Sequence, residues 1–334
     1  MTQKLDLITG EPIVLPSDSR GSDTISDVLE RPLWQVRLQL AWRGLKGNLA
    51  LFAESPIGIV GVAIIIVFAL MALAWPILIN TVWDWGTYNP VIGYDLSILE
   101  HPSPPSAAHL LGTDVLGRDI LAQLLSSTGS EFFLGMVAAI ITVTVATTIG
   151  AISAYYGGII DTIFMRIADI IIMTPAITLL IVLSVLFNVQ LIHLGILLGI
   201  LSGFGGTAVI IKSQALSIKV RTYIEAARVA GGGDFHIIFY HIVPNLIPIA
   251  TLYLMFAVTG AIFSEAVLSF FGLLNIRMSW GIMIYTSQNA GYLLDFERWW
   301  LIFPASVSIT LLCAAFYLVG KALDSVVNPK LRKR

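Results

Sequence analysis

The sequence predicts an all-α membrane protein with six transmembrane helices, and three observations carry that prediction. The first is composition: 57% of the 334 residues are hydrophobic and 12% are charged, against roughly 25% charged in soluble domains. The second is a set of stretches free of Asp, Glu, Lys and Arg, namely Ser55–Trp83, Phe132–Ile160, Ile170–Ile211, Ile237–Ser264 and Trp299–Gly320. A span needs about 20 such residues, and the third stretch is long enough for two. The third is the distribution of Lys and Arg, which gives the chain an orientation.

In order along the chain, residues 1–32 read as a polar, disordered cytoplasmic tail. Residues 33–56 place Trp34, Leu38, Trp42, Leu45 and Leu49 at helical spacing with Arg37, Arg43 and Lys46 between them. That suits an amphipathic helix on the inner membrane face; a flexible basic linker is the alternative. The first membrane helix is expected at 58–82, within a segment 57–83. An extracytoplasmic segment follows at 84–130. Residues 131–322 form a core of five further membrane helices, at 131–156, 161–187, 194–213, 246–270 and 299–320, with a loop at 214–245. Asn188, Gln190 and His193 mark the turn that splits the longest stretch. A cytoplasmic tail occupies 323–334.

With the N-terminus inside, sixteen Lys and Arg residues fall on the inner segments and three (Arg118, Arg277 and Arg298) on the outer ones. Both termini and the 214–245 loop are therefore expected in the cytoplasm. Trp75, Trp83, Trp85, Trp280, Trp299 and Trp300 fall near the outer helix ends, where interfacial aromatics are expected. The first 56 residues lack the early apolar run of a secretory signal. A single cysteine, Cys313, excludes an intrachain disulfide and a cysteine metal cluster.

The 214–245 loop carries its own helix signals. Lys219–Ala230 suits a helix that Gly231 can close. Asp234 can N-cap a second short helix, 235–242, which Pro244 would end. Ala226, Ala227 and Ala230 make a smooth face flanked by Glu225 and Arg228. His236 and His241 are five apart, off one α-helical face, so no metal pair is read there.

Glu225-Ala226-Ala227, then Gly231, then Val243-Pro244-Asn245, resembles the EAA motif of bacterial and archaeal ABC-importer permeases. His109-Leu110-Leu111-Gly112-Thr113-Asp114-Val115-Leu116-Gly117-Arg118-Asp119 resembles the H-x-L-G-T-D-x-L-G-R-D signature of the dipeptide/oligopeptide/nickel branch, C-type subunit. Ser264-Glu265 through Phe271-Gly272, Ser279-Trp280-Gly281, Phe303-Pro304 and Tyr155-Tyr156-Gly157-Gly158 are similar to further marks of that branch. The tail departs from its usual pattern, with Lys321, Ser325 and Lys330 among the exchanged positions. The resemblance covers residues 35–334.

That resemblance implies a type I ABC importer permease fold with a cytoplasmic EAA coupling helix. Glu225, Ala226, Ala227, Arg228, Gly231, Asp234 and Pro244 would be the ATPase-coupling residues. It implies a homologous B-type permease, two ABC ATPases and an extracytoplasmic substrate-binding protein as partners in a prokaryotic plasma membrane. Lipid surrounds the chain, and nucleic acid is not a partner. ATP and magnesium would be bound on the ATPases; this chain has no G-x-x-x-x-G-K-[ST] loop. The cargo implied is di- or oligopeptide, with oligosaccharide, glutathione or nickel as alternatives. An ion-coupled secondary transporter is the alternative of another class. It would show coupling carboxylates and broken helices.

Three charged residues are candidates for the path or a gate. Arg166 and Asp169, three apart, read as a pair that is either a gate or intersubunit lock, or a structural ion pair. Glu265 either lines the path or snorkels outward. In the outer segment, Gly112, Thr113, Asp114, Gly117, Arg118 and Asp119 either bind substrate or metal through the aspartates, or form a packed loop shaping a vestibule. Arg118 is free to pair with either aspartate. Thr142, Thr144, Thr147, Thr148 and Ser153 suit a hydrated path or helix packing equally.

Overall fold

Ser55 opens the first helix, α1 (Pro56–Thr81), by accepting the Gly58 N–H at 3.3 Å, and Pro56 takes a first-turn place that needs no donor. Its 26 residues rise about 39 Å, enough to cross a hydrocarbon core of roughly 30 Å. This computed structural model describes residues 51–327, and the regular elements among them are helical. After a short α2 (Trp85–Tyr88) and an irregular lobe comes α3 (Ile120–Tyr156), capped by Asp119 and closed at Gly157, whose φ is 67°. Next are α4 (Gly158–Met173), α5 (Ala176–Leu186), α6 (Leu191–Phe204) and α7 (Gly206–Lys219). The short α8 (Thr222–Val229) precedes a long α9 (Asp234–Phe270). Then come α10 (Trp280–Asn289), a 3₁₀ turn at Phe296–Leu301 and α11 (Phe303–Val327).

Helices α1, α3, α9 and α11 are each long and apolar enough to cross a membrane. The pairs α4–α5 and α6–α7 pass the same test together, bent by 83° and 42°, which gives six spans when each pair counts as one. The central helix is α3, packed against α1, α6, α7 and α9. Close approach of α6 is set by Gly195, Gly199 and Gly203, which recur every four residues on one face. A Cβ at Gly199 would sit 2.6 Å from the Cβ of Ile141, and one at Gly203 2.8 Å from that of Val145. Such small-residue faces let membrane helices pack through their backbones. Gly199→Leu is accordingly expected to overpack this seam, costing about 1–3 kcal/mol. The lowered melting midpoint should be visible in detergent-solubilised protein.

Several expectations need correction. The helix expected at 161–187 is broken at Thr174–Pro175: Thr174 is extended (ψ 120°), as a residue before proline prefers, and Pro175 cannot continue the hydrogen-bond ladder. The helix expected at 194–213 runs from Leu191 to Lys219 with a bend at Gly205. The turn at 188–190 lies where expected. The helix expected at 131–156 starts at Ile120: Glu131, the charge that bounded the uncharged stretch, is buried within it, as are Gln123 and Ser127. Trp280 and Trp300 are buried in the core around α10 and α11 instead of lying at an interface. The amphipathic segment at 33–50, the tail before it and the last residues, 328–334, lie outside the described residues.

Candidate functional site

One apolar anchor positions α8. Ile224 is fully buried in a cluster with Tyr155 of α3, Ile218 of α7 and Ile237, Ile242 and Leu246 of α9. Opposite the anchor, Glu225 and Ala226 are exposed and Ala227 is half-buried. Around them Val220, Tyr223, Val229, Phe235 and Tyr240 are exposed, Val229 by 90%. Large apolar side chains exposed along one short segment of the chain are what a protein contact surface offers.

The closure of α8 is a glycine-dependent cap. The Gly231 N–H reaches the Arg228 carbonyl at 3.0 Å, and the Gly232 N–H reaches that of Ala227 at 3.0 Å. This is a Schellman closure, with Gly231 at φ 84°. The helix begins at Thr222 instead of Lys219, because Val220 and Arg221 break the chain after α7. Asp234 does not cap with its side chain: Gly233 holds the N-cap position, and Asp234 Oδ1 accepts the Tyr155 hydroxyl at 2.6 Å. The Arg228 guanidinium lies 5.7 Å from the centroid of the same tyrosine ring.

Pro244 does not end a helix. A π-helical turn at Ile237–Ile242 lies within α9, and Pro244 falls just beyond that turn, where the wider turn accommodates its missing donor. The π turn also brings His236 and His241, five apart, onto one face, with ring centroids at 5.3 Å. The α-helical periodicity assumed for them does not hold there. Among the described residues no group of three or more His, Cys, Asp or Glu side chains is placed to hold a metal.

The lobe before α3 is built from the signature residues. Gly112 and Gly117 have φ of 75° and 80°. Thr113 Oγ1 accepts the Ser103 N–H at 2.9 Å and lies 2.8 Å from His101 Nδ1. Arg118 pairs with Asp114: its Nε and Nη2 reach Asp114 Oδ2 at 2.7 and 2.6 Å, and Gln123 Nε2 donates to the same oxygen at 3.0 Å. Asp114 Oδ1 accepts the Leu116 and Arg118 N–H groups. Asp119 Oδ1 caps α3 through the Ala122 N–H at 2.6 Å, while its Oδ2 faces His109 Nδ1 at 2.8 Å. The other ring nitrogen of His109 faces Asp95 Oδ2 at 3.1 Å. Both aspartates of the signature are buried and each of their oxygens is already engaged. The arrangement is that of a packed scaffold, with no carboxylate oxygen left open for a ligand. Burial raises the Asp119 carboxyl above its ordinary range, partly offset by the Ala122 N–H and His109. Asp95 is lowered, first by its hydrogen bonds to Ser97.

Of the candidates within the spans, Arg166 and Asp169 pair at 3.2 Å on α4, with their side chains largely exposed on the surface of this chain. Glu265 is fully buried within this chain, and the Ser269 hydroxyl donates to it at 2.5 Å. Its neighbour across the helix interface is Glu131 of α3, also fully buried. Sequence reading missed Glu131 by treating it as the edge of an uncharged stretch; it is the twelfth residue of a 37-residue helix that begins at Ile120. Glu265→Ala removes the acceptor for Ser269 and the side chain packed against Glu131, costing about 1–3 kcal/mol. The isosteric Glu265→Gln should retain native-like stability in the same melting assay.

At the α4–α5 break there is a cavity of about 460 Å³ whose lining includes Thr142, Thr174, Pro175, Ser202, Gly206 and Ser264. Of the hydroxyl residues singled out on α3, Thr142 contributes to it. Thr147 and Ser153 are buried instead in helix packing.

Residues 146–333 match the family of binding-protein-dependent transport system inner membrane components. The chain is 34% identical to the oligopeptide transport system permease protein of Bacillus subtilis (strain 168), over 84% of this chain and 88% of that protein. It is 32% identical to the dipeptide transport system permease protein of the same organism, over 92% and 90%. It is 30% identical to the probable D,D-dipeptide transport system permease protein of Escherichia coli (strain K12), over 90% and 95%. With a family match over more than half its length, an all-helical fold of up to six spans and this level of identity to peptide permeases, the chain belongs to the inner membrane components of binding-protein-dependent transport systems, as an ABC transporter permease of type I fold.

Proposed function

We propose that this chain is one of two homologous permease subunits of an ATP-driven importer of di- and oligopeptides. In this reading α8 is the helix that docks into an ATPase. The observation that carries it is the exposed Glu225–Ala226 face of α8, whose buried side is anchored by Ile224. The partners are a B-type permease, two ABC ATPases and an extracytoplasmic substrate-binding protein. The termini and the α7–α9 connection face the cytoplasm, and the lobe before α3 faces outward.

Nucleotide binding would close the ATPases, and their closure would displace α8. The spans packed on it would then expose the path alternately to each side. The chain itself supplies docking, path and gate; bond-breaking belongs to the ATPases, which would hold ATP and magnesium. The 460 Å³ cavity at the broken α4–α5 span mixes hydroxyls (Thr142, Thr174, Ser202, Ser264) with small residues and with Ile171, Ile172, Leu198 and Leu201, and would be the part of the path in this chain that meets the cargo. The peptide assignment rests on the names of the relatives. Broken spans also occur in secondary transporters, but membership in an ABC permease family gives the breaks a place in this architecture.

The test is purification of the tagged chain from its native membrane in mild detergent, with mass spectrometry of what accompanies it. Two ATPases and a second permease are expected. Recovery of the chain alone after crosslinking would overturn the proposal.

A further inference from the structure

The covalent route from α8 to the membrane spans is soft. On one side the chain breaks at Val220–Arg221, and on the other it passes through Gly231, Gly232 and Gly233. Glycine links resist displacement poorly. A stiffer route runs through a side chain outside the loop. Tyr155, one residue from the end of α3, is buried to 8% exposure. Its hydroxyl donates to Asp234 at the start of α9, at 2.6 Å, and Arg228 of α8 lies over its ring at 5.7 Å. Beside it, Lys219 at the end of α7 donates to the Ala154 carbonyl at 3.0 Å. The ends of α3, α7, α8 and α9 thus converge on one aromatic residue and its neighbour.

We infer that Tyr155 is a positioning residue that passes displacement of α8 to α3 and α9, and that Arg228 and Asp234 serve by gripping it. This rests on the reading of α8 as the ATPase-docking helix. A tyrosine has two side-chain torsions and a polar tip, so a buried one transmits a push with little slack. A charge-assisted hydrogen bond fixes that tip. Because α3 packs against α1, α6, α7 and α9, movement of its end reaches most of the bundle. Arg228 and Asp234 are exposed like Glu225 and Ala226, and on their inner side they also contact Tyr155.

The experiment uses the complete complex in proteoliposomes and reads peptide transported per ATP hydrolysed. Tyr155→Phe keeps the ring, the Ile224 anchor and the Arg228 contact, and removes the hydroxyl alone. It is expected to lower that ratio about tenfold while hydrolysis continues, a factor equal to about 1.4 kcal/mol of coupling. Asp234→Ala should match it, the double substitution should be no worse than either single one, and Asp234→Asn, whose carbonyl still accepts the hydroxyl, should restore coupling. An unchanged ratio in Tyr155→Phe, or additive losses in the double variant, would overturn the inference. Failure of the unsubstituted chain to assemble with ATPases would instead overturn the docking reading beneath it.

Discussion

Trp280→Ala is expected to be among the most destabilising single substitutions in the described chain. The side chain is fully buried, its Nε1 donates to the Leu124 carbonyl at 3.2 Å, and its ring meets Phe68 edge-on at 5.6 Å. It ties α10 to α3 and α1 at the end of the bundle that carries the signature lobe. Truncating a buried tryptophan costs about 3–5 kcal/mol through lost burial and the cavity left behind. The cost should appear as a large drop in the detergent melting midpoint and in membrane yield. Trp280→Phe, which keeps most of the ring but not the donor, should fall between the two.

Glu225→Lys is expected to abolish coupled uptake while leaving the membrane fold intact. Glu225 is exposed on α8, away from the Ile224 anchor, so reversing its charge alters a contact surface and no packing. A like-charge juxtaposition at a docking contact costs several kcal/mol, which would reduce transport by more than about a hundredfold. The variant should reach the membrane at the level of the native chain with an unchanged melting midpoint. Gly231→Asp should give a similar phenotype by another route. At φ 84° a side chain is strained, and the Schellman closure that ends α8 would loosen. Unchanged ATP-driven uptake in both variants would refute the assignment of α8.

Much of this architecture was legible from local residue patterns. The uncharged stretches located the spans, Asn188 and Gln190 located the turn between α5 and α6, and Gly231 located the end of α8. What stayed hidden depended on partners distant in sequence. Glu131 looks like the end of a membrane helix until Trp280 and Glu265 are placed beside it, and Gln123 is buried against Asp114. Pro175 interrupts a span and Pro244 does not. The difference is that a π turn precedes Pro244 and absorbs its missing hydrogen bond, which composition does not encode. Trp280 and Trp300 satisfied the statistics of interfacial aromatics, yet they fill the core around α10. The glycines at 195, 199 and 203 were readable as a packing face and were overlooked. In the candidate site, Glu225 and Ala226 lie on the surface. The contacts of Arg228 and Asp234 with Tyr155 were not legible, because Tyr155 lies 79 positions before Asp234.

The most direct test of the central claim is a photo-crosslinker placed at Ala226, on the exposed face of α8, in native membranes containing the whole transport system. The account predicts a crosslink to an ATPase subunit that strengthens when nucleotide is bound. Crosslinks to lipid alone, from a chain shown to be transporting, would contradict it.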